Sequence, residues 1–451
     1  MLYNPISGHG HLDSWLAMFM IILLKRGYVV RCFTPDTEAL LLRLKQRGME
    51  RHPNATILPL PVLTFSSRNF KKYLINRLRA LRNTYVNRLE GSRITPEMPF
   101  SLRFKKRLAR LLVPPAYTFF SAIRRFVPFL TQSVVLTQSA TDNEVGFFSP
   151  GDWGRQMKTV RSALPPGRYF LFNMYMDMYR TDKANWKEFA RNCRLPWAGI
   201  RFVPSPTPRE AYYDLPTLKG MCFLDEALCR AYSMVLPIKR FVCLPDVTSA
   251  ALPDVTPPVA QVITERANGR KVVFMGGSIG GQKNIKQWRE LIRRADPLRF
   301  FFAQIGEIHY NTCSQEERDI LRNLAVTPPE NFFMLEEYLA DERDFNACIA
   351  AADAIFAVYK DFRISSNMPG KAAAFDKPII VSDKYLMGEA VKHYGLGASI
   401  PEDDAAAILA ALERVVETPQ PQENFAAYRS NHNEEAMGQA LEKFLDDCIS
   451  E

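Results

Sequence analysis

Residues 354–382 combine a strand, a polar loop, a short helix and a second strand. The apolar run 354–359 is typical of a parallel strand buried on both faces. The loop and helix start after it carry hydroxyl, amide and cationic groups: Ser365, Ser366, Asn367, Gly370 and Lys371. Backbone N–H groups, the positive end of the helix dipole and a lysine in the first turn suit a diphosphate. The segment predicts an anion site, although an ordinary capped helix of an α/β domain uses the same residues.

A second glycine-rich loop, GGSIGGQKN, follows the predicted strand 271–275. Gly277 permits close backbone approach, Ser278 offers a hydroxyl and Lys283 can reach an anion. The spacing matches neither a Walker A loop nor a strict G-x-G-x-x-G turn. It is therefore weak evidence when taken alone.

Two further loops follow predicted strands in the same half of the chain. Gly306 ends the strand 298–305, and Glu337 and Tyr338 follow the strand 331–335. Because the carboxyl ends of parallel strands meet at one edge of a sheet, we expect these loops to converge there on a nucleotide.

The elements that must position these loops alternate between strand and helix, which predicts an α/β protein with two Rossmann-like domains facing across a cleft. The first domain spans 1–245 and contains a basic helical insertion at about 66–130. A proline-rich linker spans 246–262. The second domain spans 263–423, and a terminal helix at 424–451 is expected to cross back onto the first domain.

The composition is that of a folded protein. Of 451 residues, 47% are hydrophobic and 24% are charged, which is ordinary for globular chains. The eight cysteines include no C-x-x-C pair, so we expect buried thiols and neither disulfides nor a metal site. No signal peptide is recognisable, and the longest uncharged apolar run, 15–24, is too short to cross a bilayer. We expect a cytoplasmic protein.

One segment makes the chain basic. Residues 68–125 hold 15 Lys or Arg against two acids, a charge of +13, so the rest of the chain carries +10 minus +13, or −3. Aromatic and leucine residues recur there at helical spacing between the cations. This pattern favours an anionic membrane surface, at the inner face of the cell membrane. A solvated face of a packed domain is the alternative. Nucleic acid is not expected, because no nucleic-acid-binding signature is present.

The order of these features resembles the GT-B glycosyltransferases, and more closely the family 4-like branch of the family 1/4 group. The resemblance extends over nearly the whole chain and is sharpest at 271–400. It implies that the second domain binds a nucleotide diphosphate sugar. The diphosphate would lie against Gly277, Ser278 and Lys283, the base near 335–338, and the phosphates under the helix start at 365–371.

The chain departs from the family at two positions. Many members carry two glutamates with seven residues between them, just before the segment that reads AAAFDKP here, and in this chain those positions hold Arg363 and Lys371. Three explanations are open: the protein binds the donor sugar through other groups than those members do, its donor carries more negative charge, or it has lost catalysis.

The resemblance also implies that the N-terminal turn GHGHLDSW faces the acceptor. His11 is the first candidate for a general base, because an imidazole has a pKa near neutrality, and Asp13 would orient it or act as the base itself. Gly10 and Asp142 are expected to contact the acceptor. Capping of the next helix is the structural alternative for Asp13, and retaining members of the family need no such base.

The predicted function is transfer of a hexose from a nucleotide sugar to a lipid-linked or glycan acceptor in polysaccharide biosynthesis, with no metal or other cofactor. The predicted partners are the nucleotide sugar, the acceptor and an anionic membrane surface that binds residues 68–125. Two alternatives remain, a nucleotide-sugar epimerase of the same fold and a catalytically silent binding subunit, since a fold does not settle a function.

Overall fold

The computed structural model describes residues 1–7, 12–60, 148–179 and 183–449. The predicted basic insertion at 66–130 lies outside the described residues. Gly10, His11 and Asp142 lie outside them as well.

The first domain contains a parallel sheet with helices on its faces. Within the described residues its seven strands lie in the order β3-β2-β1-β4-β5-β6-β7. The strands are β1 Leu2–Tyr3, β2 Val30–Thr34, β3 Ala55–Pro59, β4 Leu171–Asn173, β5 Trp197–Ile200, β6 Leu218–Phe223 and β7 Arg240–Cys243. The helices are α1 Leu12–Lys25, α2 Thr37–Gln46, α3 Pro150–Ala163, α4 Lys183–Asn192 and α5 Glu226–Val235.

Helix α1 carries the longest apolar run of the sequence, and every residue from Trp15 to Leu24 is buried. A helix that is apolar on all sides must be covered on all sides. Phe172 of the sheet and Phe444 near the end of the chain belong to the same apolar cluster. The run is thus a core helix. In the described part of the chain, no helix combines the length and apolar character needed to cross a membrane.

The second domain repeats the arrangement with six parallel strands in the order β10-β9-β8-β11-β12-β13. The strands are β8 Lys271–Gly276, β9 Phe300–Ile305, β10 Phe332–Leu335, β11 Ala354–Ala357, β12 Ile379–Ser382 and β13 Gly397–Ile400. The helices are α6 Pro258–Ala267, α7 Ile285–Arg294, α8 Gln315–Val326, α9 Glu342–Ala350, α10 Met368–Ala374, α11 Tyr385–Tyr394 and α12 Ala405–Glu417. The predicted α/β fold with two Rossmann-like domains is confirmed.

Both sheets reverse their strand order once, between β1 and β4 in the first and between β8 and β11 in the second. Ligands of open parallel sheets bind at the carboxyl ends of the strands beside such a reversal. The loops after β8 and β11, which the sequence singled out as anion sites, flank the reversal in the second sheet.

Two predicted elements differ from the structure. The linker expected at 246–262 is helical from Pro258, where proline occupies the first turn of α6 and needs no hydrogen-bond acceptor. The single terminal helix is two helices, α13 Gln422–Asn431 and α14 Glu434–Ile449. The break occurs because the side chain of Asn433 accepts the N–H of Ala436 at 2.8 Å and so caps a new helix.

The broken helix contacts both domains. Phe425 and Tyr428 of α13 pack in the core of the second domain. In α14, Leu441 and Phe444 pack in the core of the first. Arg26 at the end of α1 pairs with Glu435 at 3.0 Å. The chain therefore returns to the first domain between Asn431 and Glu434.

Candidate functional site

A cleft of 1210 Å³ lies where the carboxyl ends of the strands of the two domains face each other. Every residue predicted to bind the donor lines this cleft: Gly277, Ser278, Lys283, Gly306, Glu337, Tyr338, Ser365, Ser366, Asn367, Gly370 and Lys371. The structure brings together residues that are spread over 95 positions of the sequence, 277 to 371.

The loop after β8 packs tightly on the loop after β9. The N–H of Gly277 donates to Ile305 O at 3.0 Å, and the N–H of Ile279 donates to Glu307 O at 2.9 Å. Gly277 has a φ of 92° and Gly306 a φ of 149°, backbone conformations that favour glycine. A Cβ on Gly306 would collide with the carbonyl oxygen of Gly277. Glycine at both positions is what lets the loops form one floor of backbone.

Lys283 lies at the end of the first loop, with its ammonium directed into the cleft floor. The Nζ donates to Gly276 O at 3.0 Å and to the hydroxyl of Tyr359, and it lies 4.0 Å from the centroid of the Tyr359 ring. Among the described residues it forms no ion pair, and desolvation lowers the pKa of Lys283 to about 7. An ammonium has three donors, so one remains for a ligand. An anion in the cleft would supply the charge that this site lacks.

The loop after β11 is fastened to the linker between the domains. Ser365 Oγ donates to Asp246 Oδ2 at 2.7 Å, and Ser366 Oγ accepts the N–H of Met368 at 3.4 Å. Helix α10 begins at Met368, and Asn367 occupies the cap position without a side-chain hydrogen bond. The expected helix start is present, but it is the first turn of a helix of only seven residues.

Gly370 faces the linker across a close contact. A Cβ on Gly370 would lie 3.0 Å from the methyl group of Thr248. At this point the glycine serves the packing of α10 on the linker.

Lys371 is held differently from Lys283. Its Nζ contacts Glu342 Oε1 at 2.6 Å, Asn346 Oδ1 at 2.7 Å and Ser249 O at 3.0 Å. Its side chain is 1% exposed. Burial lowers the pKa of Lys371, and the charge of Glu342 opposes that effect. All three ammonium donors have protein acceptors, so a diphosphate could bind this group only by displacing one of them.

Arg363 stands at the first of the two positions compared above with glutamates, and Lys371 stands at the second. The guanidinium of Arg363 pairs with Asp361 at 3.2 Å and its side chain is exposed. It also lies 4.8 Å above the centroid of the Tyr385 ring. Arg363 is not among the residues that line the cleft.

The loop after β10 closes one end of the cleft with Glu337 and Tyr338. The preceding Glu336 accepts the hydroxyl of Tyr310 at 3.1 Å and supports the loop. Burial and that neighbouring carboxylate raise the pKa of Tyr310. Glu337 faces the cleft, where its carboxylate could accept hydrogen bonds from ribose or base.

The first domain supplies the opposite wall, which includes Ser14, Trp15 and Arg43. Asp13, a predicted catalytic residue, is only 2% exposed. It accepts the hydroxyl of Ser7 at 2.7 Å. Among the described residues of α1, the cleft lining begins at the next position, Ser14. A catalytic role for Asp13 stays a prediction, as do the roles of His11, Gly10 and Asp142.

The cleft residues that the sequence did not single out include Arg43, Asp246 and His432. The ring of His432 stacks on Tyr428 with centroids 3.9 Å apart. Burial lowers the pKa of His432, although its contact with the Tyr428 carbonyl opposes this. Asp246 lies in the predicted linker and His432 in the predicted terminal helix, so neither had a local signal of function.

The eight cysteines are all free. In the part of the chain that the structure describes, no three His, Cys, Asp or Glu side chains form a cluster suited to a metal ion. The candidate site as described includes backbone, hydroxyl, carboxylate and lysine groups.

No protein-family model matches this sequence, and no curated protein matches it. Solved structures do match it in fold. Sucrose-phosphate synthase from Thermosynechococcus elongatus is 12% identical with a TM-score of 0.58, and the match covers 100% of this chain and 98% of that chain. A trehalose-6-phosphate protein from E. coli, bound with UDP-2-fluoro glucose, is 11% identical with a TM-score of 0.59 over 99% and 98% of the two chains.

The apo form of the lipopolysaccharide outer core galactosyltransferase WaaB is 9% identical, with a TM-score of 0.52 over 100% of this chain and 98% of that one. At identities this low, the matches show that the folds are alike and nothing more. Two parallel sheets with order reversals, a cleft between them and end-to-end superposition on these enzymes show that this chain has the GT-B fold.

Proposed function

We propose that the protein is a glycosyltransferase that moves a sugar from a nucleotide diphosphate sugar to an acceptor held by the first domain. The observation that carries the proposal is the convergence of the predicted donor residues on one cleft around the ammonium of Lys283. A half-buried cation that lacks a carboxylate partner among the described residues is suited to a diphosphate. The similarity to sugar-transferring enzymes over nearly the whole chain supports the same reading.

In this proposal the diphosphate lies over the backbone floor made by Gly277 and Gly306. Lys283 would donate to it, and Ser278 and Ser366 would add hydroxyl hydrogen bonds. As the sugar–phosphate bond breaks, negative charge grows on the departing diphosphate. A preoriented cation in a site without bulk water stabilises that charge most at the transition state, by about 3 to 4 kcal/mol per donor in other enzymes.

Lys371 would act indirectly. By joining α9, α10 and the carbonyl of Ser249, it holds the loop 365–367 against the linker. The acceptor would be a lipid-linked or glycan molecule of polysaccharide biosynthesis, used at an anionic membrane surface that residues 68–125 recognise. The sequence pattern of that segment supports this setting.

A second candidate is a silent subunit that binds the nucleotide but transfers no sugar. It is favoured by Arg363 and Lys371, which stand where related enzymes carry two glutamates. In the structure these cations are engaged with Asp361 and Glu342. Epimerisation of the nucleotide sugar is the third outcome that an assay must separate.

The test is thermal unfolding with UDP, GDP, ADP, CDP and TDP, followed by the matching sugar nucleotides. A ligand at 100 times its Kd adds about 2.7 kcal/mol to the free energy of unfolding. We expect one diphosphate to raise the Tm, and Lys283→Met to lose that response. A protein whose Tm responds to none of the five would overturn the donor site.

Products separate the three functions once a nucleotide is known. Sugar recovered on an extracted acceptor identifies a transferase, and a changed sugar nucleotide without acceptor identifies an epimerase. Binding without either product identifies a silent subunit.

A further inference from the structure

Part of the wall that the first domain contributes to the cleft is apolar. This part includes Phe202 after β5, Leu224 after β6, Val247 of the linker, and the small exposed fractions of Trp15 (6%) and Met18 (5%) of α1. The ring centroids of Trp15 and Phe202 lie 5.3 Å apart in an edge-to-face arrangement. Tyr175 stacks on Phe202 with centroids also 5.3 Å apart. Interlocked aromatic rings make this wall rigid.

The loop that carries Phe202 is itself braced by buried charges. The carboxylate of Asp177 accepts the N–H of Phe202 at 2.7 Å and that of Val203 at 3.0 Å. Arg201 pairs with Asp177 at 3.3 Å. The apolar wall is thus a built surface held in place from behind.

Two arginines of the first domain border this wall, Arg43 and Arg47. Arg47 is paired with Glu434. Arg43 of α2 lines the cleft and donates from Nη1 to Ser14 Oγ at 2.9 Å. Among the described residues it forms no ion pair of its own. Asp341 on the facing domain is near enough for Arg43 to help lower its pKa, but Asp341 is already paired with Arg343 at 2.7 Å. One hydrogen bond leaves most of the five N–H donors of a guanidinium available.

An aliphatic surface beside an arginine selects an amphipathic anion. An alkyl or isoprenoid chain gains by burying its surface against Trp15, Met18 and Leu224. A phosphate accepts two parallel hydrogen bonds from a guanidinium. A purely polar sugar would find no hydrogen-bonding side chains on Met18, Phe202 and Leu224.

The cleft also has room for both substrates. Pockets for one small ligand usually measure about 300 to 1,000 Å³, and this cleft measures 1210 Å³. A donor on the floor of the second domain leaves the wall of the first domain free for an acceptor.

We propose that the acceptor is a lipid phosphate, with its phosphate on Arg43 and the first part of its chain on the wall formed by Trp15, Met18, Phe202 and Leu224. This inference rests on the proposed function for its biological meaning. The binding site itself can be tested without any sugar transfer.

The probe is geranyl phosphate, used below its micelle concentration. Geraniol, which lacks the phosphate, and glucose 6-phosphate, which lacks the apolar chain, are the comparison ligands. We expect geranyl phosphate to raise the Tm of the wild-type protein, and each comparison ligand to bind at least about tenfold more weakly. Glucose 6-phosphate binding as tightly as geranyl phosphate would overturn the lipid assignment in favour of a soluble sugar phosphate.

The variant is Arg43→Gln, with Lys45→Gln as a control of equal charge on the same helix at an exposed position outside the cleft lining. Arg43→Gln should weaken geranyl phosphate about tenfold or more, and Arg43→Lys should restore part of the loss. Equal weakening in the Lys45 control would show a general effect of charge and would overturn the role of Arg43.

The nucleotide response of the Arg43→Gln variant separates this proposal from the donor site. Arg43→Gln should leave the nucleotide-induced Tm shift unchanged. If the wild-type protein binds geranyl phosphate but no nucleotide, the donor site fails and the lipid site stands. If it binds a nucleotide but not geranyl phosphate, the lipid site fails alone.

Discussion

At the scale of residues, the cleft contains two lysines that the sequence alone made look alike. Lys283 donates to one carbonyl and one hydroxyl, and among the described residues it forms no ion pair. Lys371 has a carboxylate, an amide oxygen and a carbonyl around it. A ligand can therefore add to Lys283, whereas at Lys371 it must replace a protein group.

This difference predicts a pH dependence of nucleotide binding. With a pKa of about 7 in the free protein, Lys283 is charged below pH 7 and neutral above it. A bound diphosphate raises the pKa, so binding above pH 7 requires proton uptake. We expect Kd to rise by up to about tenfold per pH unit above 7, measured by isothermal titration calorimetry in buffers of different ionisation enthalpy.

Lys283→Met should bind the nucleotide weakly at every pH and without proton uptake. Lys371→Met should keep the rise of Kd above pH 7, because it leaves Lys283 in place. Lys286→Met is the control and should bind the nucleotide as the wild type does, because Lys286 lies outside the cleft lining and forms an exposed ion pair with Glu316. Proton uptake that persists in Lys283→Met would assign the titration to another group.

The same lowered pKa has a consequence for stability. Between pH 7 and the usual lysine pKa of 10.5, the unfolded chain binds the proton that folded Lys283 has lost. The contribution of Lys283 to the free energy of unfolding therefore rises with pH across this window and is lost below pH 7. In Lys283→Met the rise should be absent from urea unfolding curves, and the variant should be more stable than the wild type near pH 7.

At the scale of elements, the proposed donor site depends on two loops at the carboxyl ends of β8 and β9. Their contact is possible because Gly306 has no Cβ opposite the carbonyl of Gly277. Neighbouring parallel strands bring the loops together, and the glycines decide how closely they approach.

Gly306→Ala should separate these loops. We expect a loss of about 1 to 3 kcal/mol in the free energy of unfolding and the disappearance of the nucleotide-induced Tm shift. Gly269→Ala is the control, because Gly269 also has a positive φ, of 79°, but a Cβ there meets no atom within 4 Å. Both variants should lose stability and only Gly306→Ala should lose nucleotide binding. Retained binding in Gly306→Ala would remove this contact from the donor site.

At the scale of the whole molecule, the chain crosses between the domains twice, through the linker after β7 and between α13 and α14. Both crossings line the cleft, at Asp246 and at His432. The carboxylate of Asp246 accepts a hydrogen bond from the hydroxyl of Ser365 in the loop after β11. The backbone carbonyl of Ser249 accepts one from the ammonium of Lys371. A change in the angle between the domains would therefore move the linker groups that hold the loop 365–367 and Lys371.

The basic segment predicts where the whole protein works. Its net charge of +13, at about 1 kcal/mol for each Lys or Arg close to an anionic surface, should bind vesicles that contain phosphatidylserine and not vesicles of phosphatidylcholine alone. Cosedimentation should fall at high salt. The variant Lys105→Glu, Lys106→Glu, Arg107→Glu should bind these vesicles much more weakly.

A control with the same change of charge is Arg51→Glu, Lys158→Glu, Lys187→Glu, which alters exposed positions outside that segment. The control should bind as the wild type does. Equal loss in both variants would mean that only net charge matters, and binding to neither kind of vesicle would favour a solvated face for the segment.

The sequence by itself determined the parallel strands of the second domain and the loops that follow them. Runs such as Ile379–Ser382 are short, apolar and bounded by polar residues, and that local pattern is enough to place a buried strand. Because parallel strands end at one edge of a sheet, the predicted donor residues had to meet. The sheet topology was enough to predict that these residues lie close together, but it did not predict which side chains contact each other.

Only the tertiary structure decided which lysine is free to bind a ligand. Lys371 finds Glu342, Asn346 and Ser249 at separations of 29, 25 and 122 positions, and no local pattern encodes such contacts. Arg43, Asp246 and His432 were missed for the same reason, since each reaches the cleft through the packing of distant elements. A local sequence pattern determines where strands, helices and loops form. The partner of a buried charge is instead a residue from a distant part of the sequence that the folded chain brings beside it.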